Sequence, residues 1–174
     1  MNTRHISAGI AALALLGACQ SVPPDAPRAI ARLEPTQGST VHGDVSFVQI
    51  GDKVRVSAKV AGLKPNGEFG FHIHEAGDCS SGDGMSTKGH FNPYGKPHAH
   101  AGTPERHAGD LTSLKSDGSG DARLTVDLDI ITVSPGPASV VGRGLIVHAQ
   151  PDDFTTQPTG NAGPRSACAV IRRA

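Results

Sequence analysis

Residues 41–60 read VHGDVSFVQIGDKVRVSAKV, and apolar residues alternate with polar ones along most of that length. Successive side chains of a β-strand point to opposite faces, so this alternation places one face on a core and the other in solvent. The stretch therefore predicts two half-buried strands, one from Val41 and one from Lys53. The run ARLTVDLDI from Ala122 has the same pattern and predicts a third.

Five more short runs have the composition of strands, and turn-forming residues separate them. The turns include KPNGE at 64–68 and SDGSGD at 116–121. The runs are RAIARL from Arg28, FGFHIHE from Phe69, GDLTSL from Gly109, GLIVHA from Gly144 and CAVIRR from Cys168. No stretch beyond the N-terminal leader sustains helical periodicity. Eight short strands with turns between them predict an all-β fold, an antiparallel sandwich or barrel.

The composition is that of one ordinary domain. The chain has 174 residues, of which 37% are hydrophobic and only 3% aromatic, so the core must consist mainly of Val, Ile, Leu and Ala. Sixteen basic side chains balance sixteen acidic ones, and no block of like charge occurs. This charge pattern predicts no nucleic-acid partner.

The N-terminal segment has the pattern of a secretory signal. Arg4 precedes an apolar run from Ile6 to Leu16, which is too short to remain as a membrane span. The run ends in LGAC, which resembles a bacterial lipoprotein signal in which cleavage leaves Cys19 as the lipidated first residue. We therefore expect a periplasmic or cell-envelope protein anchored through lipid. A plain signal peptide and a soluble periplasmic protein are the alternative.

These features divide the chain into three parts: a signal peptide at 1–18, a linker at 19–27 and one domain at 28–174. With Cys19 assigned to lipid, Cys79 and Cys168 remain as an even pair in an oxidising compartment. We expect them to form a disulfide, and two buried free thiols are the alternative.

Two connections are much longer than turns, from Gly77 to Ala108 and from Gln150 to Pro164, and long ordered loops are usually functional. The stretch GHFNPYGKPHAHAGTPERHAGD at 89–110 has no strand or helix period. It contains His90, His98, His100, His107 and Asp110. Imidazole and carboxylate are the ligands that zinc and copper prefer, so the stretch predicts a metal site. Solvated loop histidines are the alternative.

Three more histidines lie on predicted strands. His72 and His74 are two residues apart in FHIH, so both point to one strand face while Phe71 and Ile73 point to the other. His148 ends the apolar run LIV, where the second long loop begins. Each signal is weak alone, because strand histidines are often solvated or structural.

Taken together, these residues resemble the copper/zinc superoxide dismutase family. The resemblance runs from about Leu33 to Ile171 and rests on the motifs GFHIHEAGDC, GHFNP, HAGDL, IVHA and GNAGPRSAC. It implies an eight-stranded antiparallel Greek-key barrel that converts superoxide into dioxygen and hydrogen peroxide. A copper carrier that does not catalyse this reaction is the alternative, although such a carrier has no need of a full ligand set.

The resemblance also assigns the site residues. Copper is implied at His72, His74, His90 and His148, and zinc at His90, His98, His107 and Asp110, with one ion of each metal per subunit. His90 serves both metals, while His5, His42 and His100 stay unassigned. Arg165 is implied in the channel to copper, where a permanent cation attracts a small anion. Asp152 is implied as the acceptor that links the outer nitrogens of His72 and His98.

Two departures from the family pattern affect steering and assembly. The second long loop has no Lys or Glu between Asp153 and Pro164, so its role in attracting superoxide is in doubt. The first long loop offers instead three basic residues: Lys88, Lys96 and Arg106. The segment from Cys79 to His90 is longer than in the animal cytosolic enzymes and leaves a homodimer as a weak expectation.

Overall fold

A computed structural model of the protein describes residues 22–174; the predicted signal peptide and Cys19 lie outside them. Ten strands and one short 3-10 turn, Met85–Thr87, form the regular structure. The strands are β1 Arg28–Pro35, β2 His42–Ile50, β3 Lys53–Ala61, β4 Glu68–Phe69, β5 Phe71–His74, β6 Leu114–Lys115, β7 Ala122–Leu128, β8 Gly144–His148, β9 Arg165–Val170 and β10 Arg172–Arg173. Among the described residues, no helix is long and apolar enough to cross a membrane.

The strands form a closed antiparallel barrel. Hydrogen-bonded neighbours follow the order β5-β8-β9-β1-β2-β3-β7, and β10 pairs with β1. The circuit returns through a short β4–β6 pair and a bridge between Ser116 and Ala122 that joins β6 to β7. Only Gly70 separates β4 from β5. Counting β4 with β5 and β9 with β10 gives eight strand segments, which confirms the predicted all-β Greek-key barrel.

The core is built from the inward-facing residues of the alternating strands. In β2 and β3 the buried positions include Val45, Phe47, Val54 and Val56, and outward positions between them are exposed or half-buried. Each such side chain contributes about 1.5–3 kcal/mol by leaving water. Aliphatic residues dominate this core, as the composition predicts.

The prediction of a strand from Gly109 to Leu114 is wrong over most of its length. Regular pairing begins only at Leu114, and the preceding residues form a single bridge between Asp110 and His72. A Cβ on Gly109 would lie 2.2 Å from the carbonyl oxygen of Ile73, so glycine is needed for this close approach to β5. The segment carries the Asp110 carboxylate into a loop instead of extending a sheet.

Two long loops, residues 75–113 and 149–164, cover the outer face of β5 and β8. Every residue of these two strands is buried. One face of each strand packs into the barrel, and the loops shield the other face, which carries His72, His74 and His148. The polar face of β5 and β8 is therefore enclosed rather than solvated.

Candidate metal centre

Four histidines converge beneath the loops and form what we call the strand cluster: His72, His74, His90 and His148. β5 supplies two of them and β8 supplies His148, while a bridge to His74 brings His90 alongside. One ligand atom from each residue lies within 4.8 Å of the others, and all four side chains are buried. The antiparallel pairing of β5 with β8 fixes these side chains on one surface.

Each ring of the strand cluster has one nitrogen with a hydrogen-bond partner and one without. The partners are Asp152 for His72, the Lys88 carbonyl for His74, Asp110 for His90 and the Gly163 carbonyl for His148. The nitrogens that are buried without a partner are Nδ1 of His72 and Nε2 of His74, His90 and His148. Buried polar atoms are rarely left unsatisfied, so four such nitrogens around one point fit a cation there.

The protonation of the strand cluster also suits a metal. Burial lowers the pKa of His148 to about 3 and that of His90 to about 4, although Asp110 partly opposes the shift at His90. Burial and the neighbouring His90 hold the pKa of His74 well below its ordinary value. Neutral imidazole binds one metal ion through its free nitrogen, so His74 and His148 need lose no proton near neutral pH.

A second group, the loop cluster, consists of His90, His98, His107 and Asp110. The Asp110 Oδ1 atom lies 2.9 Å from Nδ1 of both His90 and His98 and 3.4 Å from Nδ1 of His107. The other carboxylate oxygen accepts hydrogen bonds from the backbone of Ala99 and His107 at 3.1 Å. Those bonds turn Oδ1 towards the three imidazoles, giving three nitrogens and one oxygen around a second point.

The loop cluster has a different charge balance. Burial alone would raise the pKa of Asp110, but hydrogen bonds from His107, His90 and His98 hold it well below its usual range. Burial lowers the pKa of His98, yet hydrogen bonds to Asp110 and Asp152 outweigh it and raise the pKa to about 9. A carboxylate that stays ionised is a ligand suited to a divalent cation.

Asp152 contacts both clusters, and the family resemblance implies this position for it. Its carboxylate oxygens lie 2.7 Å from Nε2 of His72 and 2.8 Å from Nε2 of His98. Gly160 packs on this contact with φ +64°, and a Cβ there would meet Asp152 Oδ1. The second long loop therefore closes over both clusters.

Sequence reasoning missed Gln157, which clamps the backbone of His98 from that loop. Its side-chain oxygen accepts a bond from the His98 N–H, and its Nε2 donates to the His98 carbonyl, each at 2.8 Å. No local pattern marks this glutamine, because its partner is 59 residues away.

Arg165 lies at the start of β9, half-buried, with its guanidinium held by the segment 84–88. The guanidinium donates to Thr87 Oγ1 at 2.8 Å, to the Lys88 carbonyl at 2.6 Å and to the Gly84 carbonyl. Burial lowers the pKa of Arg165, and the nearby charge of Asp83 opposes this. The Lys88 carbonyl also accepts from His74 at 2.8 Å, so Arg165 is one atom removed from the strand cluster.

The predicted disulfide is formed between Cys79 and Cys168, with their Cα atoms 6.0 Å apart. Cys168 lies on β9, three residues after Arg165. The bond therefore ties the segment that holds the guanidinium to the strand that carries it.

The remaining polar residues lie outside the clusters. His100 is exposed against Phe154, and His42 is exposed on β2. The suggestion that Arg106 supplies free positive potential is wrong, because it is 4% exposed and pairs with Asp129 at 2.6 Å.

The other two basic residues proposed for steering also have acidic neighbours. Lys96 Nζ lies 2.6 Å from Glu105, and Lys88 Nζ lies 3.8 Å from Glu75.

Comparisons with known proteins agree with this geometry. Residues 41–171 match the family model of copper/zinc superoxide dismutase (SODC). A Cu-Zn superoxide dismutase 2 of Aquifex aeolicus (strain VF5) is 38% identical over 149 residues, 83% of this chain and 86% of that protein. A Cu-Zn superoxide dismutase of Paramecium bursaria Chlorella virus 1 is 41% identical over 75% of this chain and 72% of its own. A crystal structure described as that of the clock protein EA4 superposes with a TM-score of 0.77 at 42% identity, covering 84% of this chain and 94% of that one.

Proposed function

Because the chain belongs to the copper/zinc superoxide dismutase family and is a superoxide dismutase, we propose that the strand cluster holds its copper and the loop cluster its zinc. The four buried, unpartnered imidazole nitrogens of the strand cluster carry this proposal. Imidazole suits copper, and three imidazoles with one carboxylate suit the closed tetrahedral coordination of zinc. His90 belongs to both clusters and would offer one ring nitrogen to each ion.

Copper held by His72, His74, His90 and His148 would supply one-electron redox chemistry, by which one superoxide would be oxidised to dioxygen and a second, with two protons, reduced to hydrogen peroxide. Side chains of the protein attract the superoxide anion and transfer protons to the reduced oxygen. Arg165 attracts and orients the anion, because its guanidinium keeps a permanent charge. Nε2 of His90 can carry a proton to the reduced oxygen. Nδ1 of the same ring faces the carboxylate of Asp110, which holds the ring in this orientation.

Two single substitutions test the ligand assignment. His74 belongs only to the strand cluster and His107 only to the loop cluster. We expect His74→Ala to lose copper and keep zinc, and His107→Ala to lose zinc and keep copper, measured as metal per chain by mass spectrometry. Equal loss of both metals in both variants, or the reverse pattern, would overturn the assignment.

We also propose that the enzyme acts in the cell envelope as a lipoprotein, with a signal peptide at 1–18, Cys19 lipidated, a linker at 19–27 and the catalytic domain at 28–174. The LGAC motif and a disulfide typical of an oxidising compartment support this. Membrane fractionation of the full chain tests it. The protein should sediment with membranes, Cys19→Ser should release it, and a membrane-bound Cys19→Ser variant would contradict the anchor.

A homodimer is the assembly we propose, on the family resemblance. Sedimentation equilibrium of the metal-loaded protein should give twice the mass of one chain, and a single-chain mass at micromolar concentration would contradict it.

A further inference from the structure

We propose that Thr87 is a positioning residue that holds the guanidinium of Arg165 in place while leaving its charge free for superoxide. Thr87 ends the 3-10 turn in residues 79–88, which we call the disulfide loop, and it is 0% exposed. The inference rests on the proposed function in one respect: Arg165 must guide the substrate.

The hydroxyl of Thr87 has a defined direction. It donates to the Gly84 carbonyl at 2.8 Å, so its lone pairs are left to accept from Nη1 of Arg165, also at 2.8 Å. Its methyl group packs on β8, where a Cβ at Gly144 would lie 2.8 Å from Thr87 Cγ2. Both ends of this short side chain are therefore fixed.

The acceptors around Arg165 are neutral. They are the Thr87 hydroxyl and the carbonyls of Gly84 and Lys88, and among residues 22–174 no carboxylate forms an ion pair with this arginine. Arg106 provides the contrast, because it forms an ion pair with Asp129 at 2.6 Å. Neutral acceptors fix the orientation of a guanidinium without cancelling the charge that an anion must meet.

Hydrogen bonds and the disulfide hold the disulfide loop in place, so it can position the guanidinium of Arg165. Ser86 Oγ donates to the Asp78 carbonyl at 2.6 Å, and the Gln37 N–H donates to the Gly82 carbonyl at 2.8 Å. The disulfide joins the loop to the strand that carries Arg165. A change at Thr87 should therefore alter the guanidinium rather than the path of the loop.

Thr87→Val removes the hydroxyl and keeps the side-chain shape, while Thr87→Ser keeps the hydroxyl. We expect Thr87→Val to lower the rate constant for superoxide about tenfold, the effect of one hydrogen bond to a charged group. Thr87→Ser should stay within about twofold of the native rate. Metal content should match the native protein in both variants.

Thr36→Val is the matched control. Thr36 is also a buried threonine bonded to Arg165, but its hydroxyl donates to the backbone carbonyl at 2.6 Å and not to the guanidinium. It should lose stability as Thr87→Val does and keep its rate. Equal rate losses in the two variants would overturn the proposal.

A measurement independent of activity follows the guanidinium directly. Phenylglyoxal modifies free guanidinium groups, and mass spectrometry of the peptide that contains Arg165 gives the rate of modification. Thr87→Val should be modified several times faster than the native protein and Thr36→Val at the native rate. An unchanged rate in Thr87→Val would overturn the proposal.

The background variant Arg165→Ala separates failure of this inference from failure of the proposed function. If Thr87 acts through the arginine, Thr87→Val should cause no further loss of rate in that background. A further tenfold loss would indicate a general structural role. If Arg165→Ala itself leaves the rate unchanged, the proposed role of the arginine is wrong. If Arg165→Ala lowers the rate and Thr87→Val does not, only the positioning role of Thr87 is wrong.

Discussion

The strand cluster and the loop cluster share His90 but are held in different ways. His72, His74 and His148 belong to paired strands, and the strand ladder fixes their positions. The members of the loop cluster come from residues 90–110, where only isolated bridges occur, and the Asp110 carboxylate organises them. Under the proposed assignment, copper would enter a frame made by the sheet, whereas zinc would complete a frame made by a loop.

Removing the carboxylate charge of Asp110 should cause the largest difference between the loss of zinc affinity and the loss of copper affinity. Asp110→Asn keeps the shape of the side chain but loses the negative charge that three imidazoles surround. We expect zinc affinity to fall by at least about 100-fold and copper affinity by less than about tenfold. Chelator competition for each metal measures both. A copper loss as large as the zinc loss would mean that the sheet alone does not fix the strand cluster.

The strands could be predicted from sequence because they depend on short-range order, and both sets of candidate ligands are implied by the motifs shared with the family. Alternation fixes which face of β5 carries His72 and His74, and motif spacing marks the loop histidines. The strand predicted from Gly109 to Leu114 is wrong over most of its length, because this segment brings Asp110 to the loop cluster and does not extend a sheet.

Other features depend on where a loop crosses a distant strand. The contact between Gln157 and His98 and the one between Thr87 and Arg165 join residues 59 and 78 positions apart. The pairing of Arg106 with Asp129 is of the same kind. No local pattern contains these contacts, because the path of the folded loop creates them.

Replacing Asp152 should change metal affinity less than replacing Asp110, because Asp152 contacts only one histidine of each cluster. We expect Asp152→Ala to weaken zinc by about 10- to 100-fold and copper by less, since the sheet still holds His72 while His98 loses a positioning partner. Competition with a zinc chelator and a copper chelator gives the two affinities. Asp153→Ala, an exposed neighbour, is the control. Equal retention of zinc in Asp152→Ala and the control would exclude this role.

The smallest expected effect is the stability of the metal-free protein as a function of pH, where His98 should act in the opposite window from His90 and His148. The pKa of His98 is raised to about 9, so its contribution is full below the unfolded value of about 6.5 and is lost as pH rises through 9. The pKa values of His90 and His148 are lowered to about 4 and about 3, so their contribution is present above 6.5 and is lost as pH falls.

Urea unfolding of the metal-free protein at several pH values tests this. Between pH 6.5 and 9.5 His98 should account for a loss of about 1 kcal/mol, after allowance for solvent screening. His98→Gln should flatten that alkaline limb, whereas His148→Gln should reduce the acid limb and keep the alkaline one. Under the proposed assignment, zinc would take the place of the proton on His98, so the metal-loaded protein should lack the alkaline limb. An alkaline limb that survives His98→Gln would place the pH sensitivity outside the loop cluster.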